Sequence, residues 1–501
     1  MQKKEKNVLL GASYSVIEPL GLLHLSGVAK QEGYKPKIRM FETNDFSPIE
    51  QAVREMDPDF LGMTVYTGNH TQVFNYLDKF RQKYPDIPVI LGGPHATYYP
   101  KDSLKHADYV VLSEGFDGFR RILKGEAKKG VVPLLKQENF PVPDREEFYT
   151  DYPNFRDSEI KSIITQTGCP FSCTYCYNSS TLDTIKEVLT PEQFQSMEKT
   201  LHPLGRLFPR SLRSVDDIIQ EISDIRKVSP FTQMIYFQDD IFVGVSNEWI
   251  KEFHQKFLPL GLSFHAQVRF EYIDPKNPKA REKLELMREA GCSGLTIAIE
   301  SADPIIRKEV LNRNMDEDLM FSSFDFLNNL GYKVRTEQML GLPCGATKEE
   351  TKVNLESDLE TLALNVRLKE QTGLPTMAWA SIFAPYRGTK IGEYCLKHGF
   401  YSGEGDDVPE TFFQRSVLRF PKQWIGPQLS PTKPEFWLSE PEQESQRTKL
   451  QLLRDLFNIF ALIPEGDKLA SNFLSKKDQS YFSLSTETRR HLYDEVLYDI
   501  K

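Results

Sequence analysis

The chain has 501 residues, 40 % of them hydrophobic and 27 % charged, a balance that excludes global disorder and a length that suggests about three domains. With 62 Lys and Arg against 71 Asp and Glu the net charge is −9, which argues against a protein that coats nucleic acid. Apolar runs stay far below the roughly 18 residues a membrane helix needs. The longest, 456–463, contains Asn458. The N-terminus is charged and lacks the apolar core of a signal peptide, so a cytoplasmic location is expected. The six cysteines are Cys169, Cys173, Cys176, Cys292, Cys344 and Cys395, too few and too clustered for a secreted disulfide framework.

In chain order, strand-like runs at 7–11, 36–41, 59–64, 87–91 and 108–112 alternate with helix-like stretches at 19–32, 47–56, 69–83, 98–106 and 116–124. This pattern predicts an α/β fold over 1–126: a doubly wound, Rossmann-like (flavodoxin-like) parallel sheet with its ligand at the carboxyl ends of the strands. Those ends carry Gly11-Ala12-Ser13, Thr64-Val65-Tyr66-Thr67-Gly68, Gly92-Gly93-Pro94-His95 and Ser113-Glu114-Gly115. They are small or polar, so backbone can approach a ligand closely. Segment 127–160, with Pro133, Pro141, Pro143 and Pro153 among charges, reads as a linker.

A second β/α series follows, with strands expected at 161–167, 233–237, 263–268, 294–299, 333–340 and 376–383. Helices are expected at 214–227, 246–257, 279–290, 316–330 and 347–364. Six such units predict a partial (β/α)6 barrel over 161–385, with chemistry at the C-terminal rim of its strands. Segment 177–213 is too long for a simple connection and is expected to hold a short helix and a substrate loop. Residues 386–501 read as a mostly helical or irregular cap, with Trp424, Trp437 and an amphipathic helix at 446–463. Substrate contacts are expected from the loops 177–213 and 386–440.

The most informative stretch is Gly168-Cys169-Pro170-Phe171-Ser172-Cys173-Thr174-Tyr175-Cys176-Tyr177, which spells C-x3-C-x2-C directly behind the first barrel strand. Three thiolates on one tight loop suit three irons of a 4Fe–4S cluster and leave the fourth iron open. Structural zinc needs four closed ligands, and no fourth Cys or His lies nearby in the sequence. The spacing and its setting resemble the radical S-adenosylmethionine (SAM) enzymes, over about 161–383. In that family the open iron holds SAM, and reductive cleavage gives a 5′-deoxyadenosyl radical. The resemblance implies SAM contacts from Tyr175, from Gln238-Asp239-Asp240 after the second strand and from Arg269 after the third. It also implies contacts from Glu300, at the ribose, and from the Gly341-Leu342-Pro343 turn near the adenine. Cys344, where relatives have Gly, is a candidate for contact with substrate or for methyl acceptance.

Pro19-Leu20-Gly21-Leu22-Leu23, Gly92-Gly93-Pro94-His95-Ala96-Thr97 and Ser113-Glu114-Gly115 resemble the cobalamin-binding domain fused to one branch of that family, over about 7–125. This implies cobalamin contacts from Ser13, Thr64, Tyr66, Thr67, Gly92, Gly93, Pro94, His95, Glu114 and Gly115. The Asp-x-His-x-x-Gly motif of other cobalamin domains is missing, so no histidine of that motif stands under cobalt. The loop with Tyr66, Thr67, Asn69 and His70 is expected nearest the lower face.

The joint implication is an enzyme with a [4Fe–4S] cluster, SAM and cobalamin. Methyl transfer to an unactivated carbon is expected, by way of the 5′-deoxyadenosyl radical and methylcobalamin. The alternative is ring formation, rearrangement or oxygenation without methyl transfer. An RNA methylthiotransferase is disfavoured, because no cysteine precedes 169 and no basic β-rich module follows the barrel. A small molecule, lipid, tetrapyrrole or peptide remains open as substrate, and an electron donor of flavodoxin or ferredoxin type is expected.

Overall fold

The structure is a computed structural model, and it describes residues 5–343, 354–403, 415–422 and 437–475. The N-terminal series forms six parallel strands: β1 (Asn7–Ser13), β2 (Lys35–Phe41), β3 (Phe60–Thr64), β4 (Val89–Gly92), β5 (Tyr109–Val111) and β6 (Gly130–Val132). Their order is β2-β1-β3-β4-β5-β6. The chain reverses direction across the sheet beside β1, which is where a doubly wound sheet opens a crevice. β1 shows why this sheet is central: Leu9 enters the core on one face, while Val8, Leu10 and Ala12 enter the core on the other. A strand buried on both faces reads as a continuous apolar run, as Val8-Leu9-Leu10 does. Helix Leu20–Gln31 presses Leu22, Leu23 and Val28 onto the second of these faces.

Segment 127–160 is more ordered than a linker. It contributes edge strand β6 and the short helices Arg145–Asp151 and Pro153–Arg156, whose Phe148, Tyr149 and Phe155 are buried in the same core as β1. Prolines bounded these elements in the sequence without preventing them, because Pro153 sits in the first turn of a helix, where its missing N–H costs nothing.

The second series supplies β7 (Ile160–Ile163), the two-residue strands β8 (Gln166–Thr167) and β9 (Ser211–Leu212), then β10 (Met234–Phe237), β11 (Ser263–Val268), β12 (Cys292–Glu300), β13 (Lys333–Leu340) and β14 (Met377–Ile382). Six of these run in the order β14-β13-β12-β11-β10-β7, the open half-barrel that the sequence predicts. Segment 177–213 holds one full helix, Pro191–Leu201, started by a capping box in which Gln193 N donates to Thr190 Oγ1 and Thr190 N to Gln193 Oε1. The C-terminal amphipathic helix spans Glu440–Leu462 and a further helix spans Gly466–Ser475. Cys344, Trp424 and parts of the 386–440 loop lie outside the described residues.

The chain divides into two compact units. One comprises 1–172, 176–242 and 252–264, and the other comprises 173–175, 243–251 and 265–501. Among the described residues no helix is long and apolar enough to cross a membrane.

Candidate functional site

In the first unit the carboxyl ends of β3, β4 and β5 surround a partly open cavity with about 1090 Å³ free of protein atoms. Thr64, Tyr66, Gly92, Gly93, Pro94, Glu114 and Gly115, all expected at cobalamin, line it. Ser13, Thr67 and His95 do not. Ser13 accepts a hydrogen bond from Asn69 Nδ2, and Thr67 Oγ1 lies 3.0 Å from His95 Nδ1. His95 is buried, stacked on His70 at 4.2 Å, and burial lowers its pKa to about 3, so it is neutral. His70 is buried too and its Nδ1 accepts from Gly68 N.

The backbone around this cavity is specialised. Gly93 has φ +91°, and a Cβ there would lie 2.5 Å from Thr64 Oγ1. Ser113 and Gly115 both take positive φ, 63° and 84°. For Ser113 this left-handed backbone is strained, and it is held because Ser113 N donates to Thr97 Oγ1 and Ser113 Oγ to Leu207 O. His24, on the cavity wall, donates from Nδ1 to Pro141 O at 2.6 Å, and burial lowers its pKa to about 4.

The same cavity wall includes Ile164, Thr167 and Phe208 from the second series. Thr167 lies two residues before Cys169. On the far side of the cysteine loop, Tyr177 stacks on Tyr98 with ring centroids 4.2 Å apart, and its hydroxyl lies 2.6 Å from that of Tyr99. Sequence reasoning passed over Tyr98, Tyr99 and Tyr177. The signal was present, since Tyr98-Tyr99 directly continue Gly92-Gly93-Pro94-His95-Ala96-Thr97.

Also in the first unit, Asp239 is fully buried. Its Oδ1 accepts from Thr165 N at 2.6 Å and from Gln166 N at 3.2 Å, and its Oδ2 accepts from Thr165 Oγ1. Burial raises its pKa to about 7 against these bonds. Asp239 therefore ties the end of β10 to the segment leading into the cysteines. Gln238 donates from Nε2 to Ser162 Oγ, while Asp240 is exposed and hydrogen-bonded to Asn178.

The second unit holds a buried trio. Tyr175 donates its hydroxyl proton to Glu300 Oε1 at 2.5 Å, and Arg313 donates from Nη1 to Tyr175 Oη at 3.1 Å and to Glu300 at 3.4 Å. Arg313 Nη2 also donates to Ala298 O at 2.7 Å. Glu300 stands at a register shift in β12 with φ +68°, a left-handed backbone that costs a non-glycine residue about 1–3 kcal/mol. The bulge re-aims the Glu300 side chain from the pleat. Burial pushes the Glu300 carboxyl up, while Arg313 and the Tyr175 hydroxyl pull it back. Arg313 has no counterpart among the residues expected from sequence, because a lone Arg in Asn312-Arg313-Asn314 carries no spacing signal.

Arg269 is buried. It donates from Nη1 to Cys173 Sγ at 3.0 Å and grips Glu271 with Nε and Nη2 at 3.1 and 2.6 Å. None of the described cysteines is in a disulfide. Gly341, at φ +71°, donates its N–H to both oxygens of buried Asp358 at 3.0 and 3.2 Å, which fixes the turn that continues into buried Leu342 and Pro343. Burial raises Asp358 to about 8.

One face of the second-unit strands is fully covered and the other is not. Val334, Thr336, Gln338 and Leu340 are buried, while Arg335, Glu337 and Met339 between them are half-buried, as is Trp379 opposite Glu337. Arg335 pairs with Glu337 and lies 5.8 Å from the Trp379 ring. His265 Nε2 lies 2.7 Å from Thr296 Oγ1. Parallel sheets are ordinarily apolar on both faces, so a polar, half-open face is suited to a ligand.

Comparison with known proteins matches residues 6–123 to the B12 binding domain family and residues 163–355 to the radical SAM superfamily. The chain belongs to the radical SAM enzymes that carry a B12-binding domain. An uncharacterized methyltransferase of Pyrococcus horikoshii is 23 % identical over 405 residues, covering 75 % of this chain and 78 % of that one. The cytidylyl-2-hydroxyethylphosphonate methyltransferase of Streptomyces wedmorensis is 21 % identical over 499 residues, covering 83 % and 85 %. Among solved structures, the cobalamin-dependent SAM radical enzyme OxsB with aqua-cobalamin and SAM bound superposes with a TM-score of 0.63 at 14 % identity, over 99 % of this chain and 80 % of that chain. TsrM of Kitasatospora setae, with cobalamin and a [4Fe–4S] cluster bound, gives 0.56 at 14 %, over 78 % and 79 %. At such identities these two likenesses speak for the fold.

The cofactors of a B12-binding radical SAM enzyme are cobalamin, a [4Fe–4S] cluster and SAM. The residues present fit them. Glu114 has both carboxyl oxygens buried without a partner inside the strand-end cavity, an arrangement that asks for a ligand. The three loop cysteines are a donor set for iron–sulfur, not for a closed zinc site.

Proposed function

We propose that this B12-binding radical SAM enzyme is a methyltransferase acting on an unactivated carbon of a small-molecule substrate. When bound, the cluster and SAM supply a 5′-deoxyadenosyl radical and cobalamin supplies the methyl-carrying cobalt. The observation that carries the reading is the join inside the first unit. Thr167 helps wall the strand-end cavity two residues before Cys169, and Tyr177 after Cys176 packs on Tyr98 and Tyr99 of the B12-type motif. Within the first unit, residues on both sides of the cysteine loop thus pack on the strand-end cavity and its motif, and holding reacting groups in place is what turns an encounter between reactants into a unimolecular step.

The remaining residues have positioning work. Cys169, Cys173 and Cys176 hold the cluster, with Arg269 donating a hydrogen bond to Cys173 Sγ. Glu300, oriented by Tyr175 and Arg313, accepts hydrogen bonds from the SAM ribose. Asp239 is fully buried and orders the approach to the cysteines through its bonds to Thr165 and Gln166. The half-open face with Arg335, Glu337 and Trp379 receives the substrate.

The reading is tested with the anaerobically reconstituted enzyme, SAM, hydroxocobalamin and a reductant. Methyl transfer yields both S-adenosylhomocysteine and 5′-deoxyadenosine. Formation of 5′-deoxyadenosine alone, in the presence of bound cobalamin, would overturn the methyltransferase reading and leave a radical enzyme of another kind.

A further inference from the structure

The half-open face of the second unit is built in levels. Thr296 of β12 stands level with Arg335 of β13 and Met377 of β14, and one pleat further along Ala298 stands level with Glu337 and Trp379. The opposite face of these strands is spent on the core, where Ala378, Ala380 and Ile382 are buried with Leu450, Leu453 and Phe457 of helix Glu440–Leu462. The polar face carries the Arg335–Glu337 ion pair, whose side chains are 30 % and 32 % exposed. Arg335 gives Nη2 to Glu337 Oε1, while its Nε is buried without a partner. On one side of Glu337 the half-buried Ala298 offers only a methyl group, and on the other stands the Trp379 indole, with the guanidinium groups of Arg335 and Arg454 each 5.8 Å from its ring.

The charges on this face balance. His265, which shares a hydrogen bond with Thr296, is neutral, because burial and the Arg335 charge lower its pKa to about 4. Arg454 is matched by Asp455 at 3.0 Å. That balance decides which ligand fits. A ligand with a lone anionic group would draw Arg335 away and leave the Glu337 carboxylate half-buried and unpaired, and a lone cation would strand Arg335 in the same way. A ligand with both charges on one carbon satisfies both residues at once and takes up the unmet Nε–H of Arg335.

We propose that the substrate is an α-amino acid, with its carboxylate held by Arg335, its ammonium by Glu337 and its side chain along Trp379. The inference rests on the reading that this face receives the substrate, and it goes further by naming the head group and the residues that read it. Gln338, one residue beyond Glu337, stands level with Glu300. A head group held at Arg335 and Glu337 therefore lies deeper in the half-barrel than Glu300, and the rest of the substrate extends toward the rim, where SAM is proposed to bind.

The test is equilibrium dialysis with the full chain reconstituted anaerobically with iron, sulfide and hydroxocobalamin. The probes are the standard amino acids and, for each that binds, its deamino acid and its primary amide. Wild type is expected to bind at least one amino acid, with both analogues about tenfold weaker or more, because each leaves one charged group of the site unpaired. Glu337→Gln is expected to bind the amino acid about tenfold weaker and to lose its preference over the deamino acid, while still preferring it to the amide. Arg335→Met is expected to show the mirror pattern. Iron and cobalt retained at the wild-type level show that each variant is folded. An ion pair with a purely structural role would weaken all three ligands alike in both variants, and that result would overturn the proposal. A deamino acid that binds wild type as tightly as the amino acid, and is lost in Arg335→Met, would mark a site for anions; it would overturn the proposal and leave this face as the substrate site. Amino-acid binding unmoved by either substitution would overturn the proposal and the placement of the substrate on this face together. Binding of none of the amino acids would overturn the proposal alone, since iron and cobalt retention report on the enzyme reading independently.

Discussion

Replacing Arg313 with Met tests the buried trio that orients Glu300. Arg313 is 3 % exposed and Glu300 7 %. The Glu300 carboxylate accepts from Arg313 at 3.4 Å and from the Tyr175 hydroxyl at 2.5 Å. Removing one partner of a buried ion pair costs about 3–5 kcal/mol, because the other charge stays behind. The 3.4 Å separation places this pair at the lower end, about 3 kcal/mol. For a unit of this size that lowers the melting temperature by about 6–12 °C. The double variant Arg313→Met, Glu300→Gln removes both charges. It is expected to melt above the sum of the two single losses, with a coupling of about 2 kcal/mol. Thermal melting of the purified chain and its three variants, followed by circular dichroism, makes the measurement. An Arg313→Met variant within a degree of wild type, or strictly additive single losses, would refute the reasoning.

Other expectations follow from named contacts. Glu221 is buried between Arg145 at 2.7 Å and Arg213, and their charges hold its pKa down at about 2 against burial. The stability it contributes is complete above about pH 4.5 and is lost as the pH falls from there toward 2, so Glu221→Gln should flatten acid unfolding in that window and destabilise the chain by about 3 kcal/mol at pH 7. Glu114 has the opposite sign. Its folded pKa of about 7 lies above the ordinary 4.5, so the carboxyl's cost grows as pH rises from about 4.5 to 7, and Glu114→Gln should raise the melting temperature at pH 8 but not at pH 4. Gly93→Ala combines φ +91° with a Cβ 2.5 Å from Thr64 Oγ1; it should destabilise the first unit by about 2 kcal/mol or more and weaken cobalamin binding in a titration with hydroxocobalamin. Cys169→Ala, Cys173→Ala and Cys176→Ala should each abolish iron retention after reconstitution, measured by metal analysis.

The elements that the sequence made legible are those with strong apolar runs or periodicity. Strands β1, β2, β3 and β13 lie within two residues of where their apolar runs place them, because each has to bury Val, Leu, Ile or Met against helices. β6 was illegible for a physical reason. It is a three-residue edge strand, Gly130–Val132, embedded among prolines and charges, and it is stabilised by pairing with β5. The cysteine loop was legible because its spacing has few other uses. Glu300 was placed at a strand end by pattern, but its left-handed backbone and its tie to Tyr175 and Arg313 arise from contacts between segments distant in sequence. The Asp239-Asp240 pair shows the limit most clearly. Identical neighbours in sequence just past the end of β10, one is fully buried and bonded to Thr165 and the other exposed, because successive residues of extended chain point to opposite sides.

The most direct measurement is the metal content and visible spectrum of the chain after anaerobic reconstitution with iron, sulfide and hydroxocobalamin, followed by desalting. The account predicts about four irons and one cobalt per chain, with the iron lost and the cobalt kept in Cys173→Ala. Iron at that level with no retained cobalt would contradict the two-cofactor account and leave the strand-end cavity to another ligand. Cobalt without iron would contradict the assignment of the cysteine loop.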